Sequence, residues 1–203
     1  MKMILFAGLL LISGAAFTAP TAEAANPALK SGVFNPPRMA PEFSLPSSQG
    51  GQFTLAEQRG QPVVLSFGFS NCPQICPMTL ATLADVKHQL GTLADQVQVV
   101  FMTVDPERDS AEQLRTYLAN FHPDFIGLTG APEELAQVRA AYGITAQRED
   151  QAGGYYEVHH SSYIYLVDRQ GQLRSLVPFG TGPNDIVHDL KILLQENPEP
   201  STS

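Results

Sequence analysis

The sequence predicts an α/β sandwich folded as one domain. Three observations predict it. Val63–Phe69 and Val97–Val104 are mostly apolar runs, typical of strands buried on both faces. Segments with apolar residues at helical spacing follow each run. A late series of short β runs is then closed by one more amphipathic segment. The length of 203 residues suits a single domain with a full core, and 43% hydrophobic with 16% charged residues is a globular composition. A net charge of −8 with only 12 basic residues argues against a nucleic-acid partner. Two cysteines exclude a disulfide-rich scaffold.

The elements follow in chain order. Residues 1–24 carry Lys2, a 14-residue apolar run over 4–17 and the Ala22-Glu23-Ala24 site, the pattern of a secretory signal peptide. The run is shorter than the roughly 20 residues of a spanning helix, so an uncleaved membrane anchor is the rival reading. No cysteine near the cleavage site supports a lipid anchor. The mature protein is expected to be periplasmic, or anchored facing the periplasm if the signal is retained. Residues 25–40, rich in Pro, Asn and Ala without periodicity, are expected to form a flexible tether. The domain is expected over 41–195, opening with a hairpin around Gly50-Gly51.

After the first buried strand, Met78, Leu80, Leu83, Val86 and Leu90 predict a helix over 75–90 with Met78 in the core. Residues 110–121 place Leu114, Tyr117, Leu118 and Phe121 on one helical stripe, with Ser110 and Gln113 in a capping box. Phe125–Leu128 reads as a short strand, and Pro132 opens a helix through Tyr142. Tyr155–Val158, a strand starting at His159-His160 and running to Asp168, and Gln172–Val177 are the β runs. Pro183 starts the last helix, whose Ile186, Val187, Leu190, Leu193 and Leu194 share a face, and 196–203 reads as a disordered tail. This order is that of a thioredoxin-like fold with an extra N-terminal β-hairpin.

Both cysteines lie in Ser70-Asn-Cys72-Pro-Gln-Ile-Cys76-Pro77, where a buried strand hands over to a helix. Open α/β sheets place their sites at that end of the strands. The positive end of the helix dipole is expected to ease ionisation of both thiols. A structural disulfide closing so small a loop would contribute only about 2 kcal/mol, little for a domain of this size. The choice is therefore between a redox pair and a metal site. The i, i+4 spacing puts both side chains on one helix face, and C-x-x-x-C instead of the redox-type C-x-x-C favours metal. Among five histidines, His88 and His188 fall within predicted helices and His122 follows one. His159 and His160 are adjacent on a strand, so only one of the two can face the cysteines.

GFSNCPQICPMTL, then TVDPERDS, then VHHSSYIYLVD resemble the Sco/SenC family of copper-site assembly proteins, over roughly residues 40–195. The resemblance implies Cys72, Cys76 and His160 as copper ligands; His159 stands where the family commonly has Asp. Two thiolates and an imidazole favour Cu(I); the resemblance implies Cu(II) binding as well. Zinc prefers four closed ligands at other spacings. The implied function is a copper chaperone delivering to the binuclear copper-A site of a cytochrome c oxidase. Its expected partners are the apo copper-A subunit and another periplasmic copper chaperone or thiol reductase. Asp105-Pro-Glu-Arg-Asp109 reads as a turn opening a helix, and the resemblance implies an added role for this motif in partner docking or tuning of the site. The alternative is a thiol-disulfide oxidoreductase using Cys72 and Cys76 on the acceptor's cysteines. Such enzymes set a cis-proline opposite the cysteines, and the chain has no proline between Pro132 and Pro178. A peroxiredoxin would need Thr or Ser where Phe69 stands.

Overall fold

The computed structural model describes residues 28–196. The signal peptide over 1–24, residues 25–27 and the tail from 197 lie outside the described residues. Ten strands and four α-helices follow in order: β1 (Gly32–Met39), β2 (Ser44–Pro46), β3 (Gln52–Thr54), β4 (Val63–Gly68), α1 (Ile75–Leu90), β5 (Gln98–Thr103), α2 (Ala111–Ala119), β6 (Ile126–Leu128), α3 (Pro132–Tyr142), β7 (Ala146–Asp150), β8 (Tyr156–His160), β9 (Tyr163–Val167), β10 (Gln172–Pro178) and α4 (Pro183–Gln195).

The two apolar runs lie side by side as β4 and β5, paired in parallel at the centre of a six-stranded sheet of order β1-β10-β9-β4-β5-β6. All six residues of β4 are buried, as its unbroken apolar character requires. The crossovers through α1 and α2 advance in the same direction across the sheet, so right-handed connection puts both helices on one face. Gly68, Phe101 and Gly127 share that face, and Leu114 of α2 packs directly over Gly127. The other face is covered by α3 and by the separate β2–β3 hairpin, through Phe67, Tyr165, Tyr142 and Phe43. This is the thioredoxin-like α/β arrangement with the expected N-terminal hairpin. Helix starts also agree: Ser110 and Gln113 form a reciprocal capping box, and Pro132 and Pro183 occupy the first turns of α3 and α4.

Two strands depart from expectation. Residues 32–39, expected within the flexible tether, form β1, an edge strand antiparallel to β10. Seven of its eight residues are exposed, so it shows no alternation. Pro36 and Pro37 are tolerated because an edge strand leaves one side of its backbone unpaired. Lys30 and Ser31, just before it, donate their backbone N–H groups to the buried carboxylate of Asp189, at 2.7 and 3.0 Å. The second departure concerns the histidines. They end β8, in a two-stranded sheet with β7, and Ser161-Ser162 separates them from β9. β7 (Ala-Gln-Arg-Glu-Asp) lacks an apolar face and carries no strand signal in sequence. Glu196, expected to begin the tail, is held by Arg174 at 2.9 Å.

Candidate metal centre

β4 ends at Gly68, and the chain turns through Phe69–Gln74 before α1 begins. The turn is closed by the Cys72 N–H donating to the Phe69 carbonyl at 3.2 Å. Cys72 therefore lies in the loop, ahead of the helix, and Cys76 is the second residue of α1; the expectation that both share one helix face is corrected. What joins them is the helix start itself. Gln74 offers no side-chain cap, and the Cys76 N–H points instead at the Cys72 Sγ, 3.5 Å away.

Cys76 belongs to the buried stripe of α1 with Leu80, Leu83, Val86 and Leu90. Room for its sulfur comes from Gly68: a Cβ there would sit 2.7 Å from both the Cys76 Sγ and the Phe101 ring. This enclosure reverses the expected ionisation of Cys76, whose thiol is pushed well above the usual range, chiefly by burial. Cys76 is only 3% exposed, so its thiolate would have little contact with water. Cys72 is half-buried. Iodoacetamide should accordingly modify Cys72 before Cys76 in the reduced, metal-free protein, as read by peptide mass mapping; equal rates would contradict the enclosure of Cys76.

His160 comes from outside the main sheet, at the end of β8. Its Nε2 lies 3.6 Å from the Cys76 Sγ. Its Nδ1 lies 2.9 Å from the Ser161 carbonyl oxygen, an acceptor only, so Nδ1 carries the proton and the Nε2 lone pair is free. Burial lowers the pKa of the ring, favouring the neutral form a metal requires. Phe69 packs edge-to-face on it at 5.7 Å. His159 points the opposite way, 62% exposed, with its Nε2 3.1 Å from Glu149 Oε2. The alternation expected of the two histidines holds, on a different strand.

The structure thus brings Cys72, Cys76 and His160 together, with their three ligand atoms all within 4.8 Å of one another. A metal bound at about 2.0–2.3 Å to sulfur and nitrogen holds such donors about 3.5–4 Å apart, so the set can close on an ion with little movement. A cleft of ≈ 330 Å³, lined by Phe69, Ile75, Arg108 and Tyr155 among others, opens beside Cys72 and His160 and leaves one side of the set approachable. His88, His122 and His188 are not part of it.

The Asp105–Asp109 segment supports the site from below. Asp109 is fully buried; its carboxylate accepts from the Ser70 N–H at 3.0 Å, the Ser70 hydroxyl and the Thr103 hydroxyl at 2.7 Å. It ties the cysteine loop to the end of β5, which goes beyond a turn that opens a helix. Met78, expected in the core, is 51% exposed. It lies two positions from both Cys76 and Leu80, off their stripe, and borders a groove with Phe179 and Pro183. Gly68, Ser70 and Tyr156 were not singled out from sequence, since their roles depend on partners distant along the chain.

A family profile described as SCO1/SenC matches residues 33–195. The bovine mitochondrial SCO2 homolog is 43% identical over 136 residues, which make up 64% of this chain and 50% of that protein. This chain therefore spans about half the length of that relative. The structure of Bradyrhizobium japonicum ScoI with copper bound is 34% identical, covers 75% of this chain and 98% of that one, and superposes with a TM-score of 0.71. BsSco, described as a member of the Sco family of cytochrome c oxidase assembly proteins with a disulfide switch, is 25% identical over 79% of this chain and 96% of its own, with a TM-score of 0.64.

Proposed function

Because this chain belongs to the SCO1/SenC family, we propose that it is an extracytoplasmic copper chaperone. It binds one copper ion through Cys72, Cys76 and His160 and delivers it to the binuclear copper-A site of a cytochrome c oxidase. The observation that carries this reading is the convergence of three soft-to-borderline donors at the mouth of a cleft. Two thiolates and a neutral imidazole suit Cu(I) over harder ions, and three donors leave a position at which an acceptor's sulfur can attack. Binding releases the thiol protons, and His160 needs to lose none. Copper in the Bradyrhizobium structure and the oxidase-assembly description of BsSco support the same reading. The apo copper-A subunit is the acceptor, and another periplasmic copper chaperone or a thiol reductase supplies copper or electrons. The signal-like pattern of residues 1–24 supports a periplasmic setting for this exchange; among the described residues no helix is long and apolar enough to cross a membrane.

The test is anaerobic Cu(I) titration of reduced residues 25–203 against a competing chelator. One tightly held ion is expected. His160→Ala should weaken it by about 10–100-fold and His159→Ala by less than about threefold. The reverse order would put the wrong histidine in the site, and copper held no better than by Cys72→Ser or Cys76→Ser would sink the reading.

A second reading is favoured by the contact between the Cys76 N–H and the Cys72 sulfur. The two thiols lose two electrons and two protons, close a disulfide, and reduce a disulfide of the acceptor to two thiols. A reduction potential below that of the acceptor pair, with no tight copper, would select it.

A further inference from the structure

His160 sits on an element that cannot stand alone. The β7–β8 hairpin forms a two-stranded sheet outside the main sheet, and isolated hairpins are marginal in water. Only Ala146 and Val158 of its apolar residues pack half-buried against the core. Beside the Arg148–Glu107 ion pair, its polar attachment runs through one side chain, Tyr156. The ring lies between two guanidinium groups, those of Arg108 and Arg148, each 3.8 Å from its centroid. The Tyr156 hydroxyl donates to Asp105 at 2.9 Å, and the Tyr156 carbonyl accepts from Arg108 Nη1 at 3.3 Å.

One jaw of this clamp, Arg148, belongs to β7 itself and is tied both within its own strand and to the body of the domain; the other, Arg108, belongs to the Asp105–Asp109 segment. Arg148 is held by Glu107 at 2.6 Å and Asp150 at 2.7 Å, and the Arg108 Nε donates to the buried carboxylate of Asp105. The Asp105 N–H is in turn held by Thr103 at the end of β5, at 2.9 Å. The Nη2 of Arg108 has no hydrogen-bond partner among the described residues, so this guanidinium is placed by Asp105, the Tyr156 carbonyl and its aromatic neighbours. It also lies 5.6 Å from the Phe69 ring, which packs on His160. Arg148, Tyr156, Arg108, Phe69 and His160 thus form one series of ring and guanidinium contacts leading from β7 to the cysteines.

Strand geometry gives these contacts their consequence. Tyr156, Val158 and His160 are the half-buried positions of β8, whereas Glu157 and His159 face outward. A slip of one residue would exchange His160 for His159. We propose that Tyr156 is a positioning residue: clamped between Arg108 and Arg148, it fixes the register of β8 so that His160 is presented to Cys76. The metal-binding arm of the test below rests on the reading given above; the other arm does not.

The experiment compares the wild type with Tyr156→Leu, Tyr156→Phe, His160→Ala and the Tyr156→Leu/His160→Ala pair. In the reduced, metal-free protein, diethylpyrocarbonate modification of each histidine is followed by mass spectrometry. Tyr156→Leu should speed modification of His160 several-fold while His122 and His188 keep their wild-type rates. Tyr156→Phe, which keeps the ring, should restore protection. In Cu(I) competition, Tyr156→Leu should lose about tenfold in affinity, and the double variant should bind no more weakly than His160→Ala. Arg148→Gln, at a half-exposed position, should act in the same direction more weakly and keeps the test available if Tyr156→Leu does not fold. Unchanged His160 reactivity, or a rise shared with His122 and His188, would overturn the proposal, as would additive losses in the double variant. If the wild type holds no copper, the chaperone reading fails and His160 reactivity alone decides the role of Tyr156.

Discussion

Replacing Cys76 by serine is expected to remove tight Cu(I) binding, lowering affinity by about a thousandfold or more, beyond the 10–100-fold typical of outer-shell changes. Cys76 touches both other donors: its sulfur lies 3.6 Å from His160 Nε2, and its backbone N–H points at the Cys72 Sγ at the helix start. A serine hydroxyl is a hard donor that stays protonated, so the variant retains one thiolate and one imidazole, too few to hold Cu(I) against a competing chelator. Because the position is buried against Gly68 and Phe101, melting of the apo protein must be measured alongside. Cys72→Ser should lose affinity similarly with a smaller change in Tm, since Cys72 is half-buried in a loop. Copper retained within about tenfold of wild type by either variant would remove that cysteine from the ligand set.

Burial decided which parts of this molecule could be read from its sequence. The central strands and all four helices announce themselves because their apolar residues recur with the period of the element, and because Ser110, Pro132 and Pro183 mark helix starts. β1 and β7 pair through backbone groups with their side chains largely exposed, so no period is imposed on them. The cysteine loop was legible from the strand-to-helix junction. Alternation limited the site to one of His159 and His160, and the family resemblance pointed to His160; that alternation survives their transfer from β9 to β8. The ionisation of Cys76 was not legible. The helix start is a local property of the sequence, but the burial that raises the thiol comes from packing against Gly68 and Phe101, on β4 and β5. Tyr156 was invisible for the same reason, since Arg108 lies 48 residues away along the chain.

Asp109→Ala should damage both fold and site. The carboxylate is fully buried, and its acceptor oxygens satisfy the Ser70 backbone N–H, the Ser70 hydroxyl and the Thr103 hydroxyl. Truncation leaves donors without acceptors in a place water reaches poorly, at about 1–3 kcal/mol for each group left unpaired. A total of roughly 3 kcal/mol or more corresponds to a fall in Tm on the order of 10 °C for a domain of this size. The second effect is on copper. Ser70 begins the loop that carries Cys72, so releasing it frees one ligand from the other two and should weaken Cu(I) binding by about 10–100-fold even where the protein is still folded. Asp109→Asn separates the two effects. Its amide oxygen can still accept from Ser70 while its NH₂ opposes the Thr103 hydroxyl, so it should keep more of the affinity than of the stability. Thermal melts and anaerobic competition titrations on the same preparations give both quantities. A large fall in Tm with affinity unchanged below the transition would mean that the loop is held by Cys72 and the helix start alone, and that Asp109 serves the sheet rather than the metal centre.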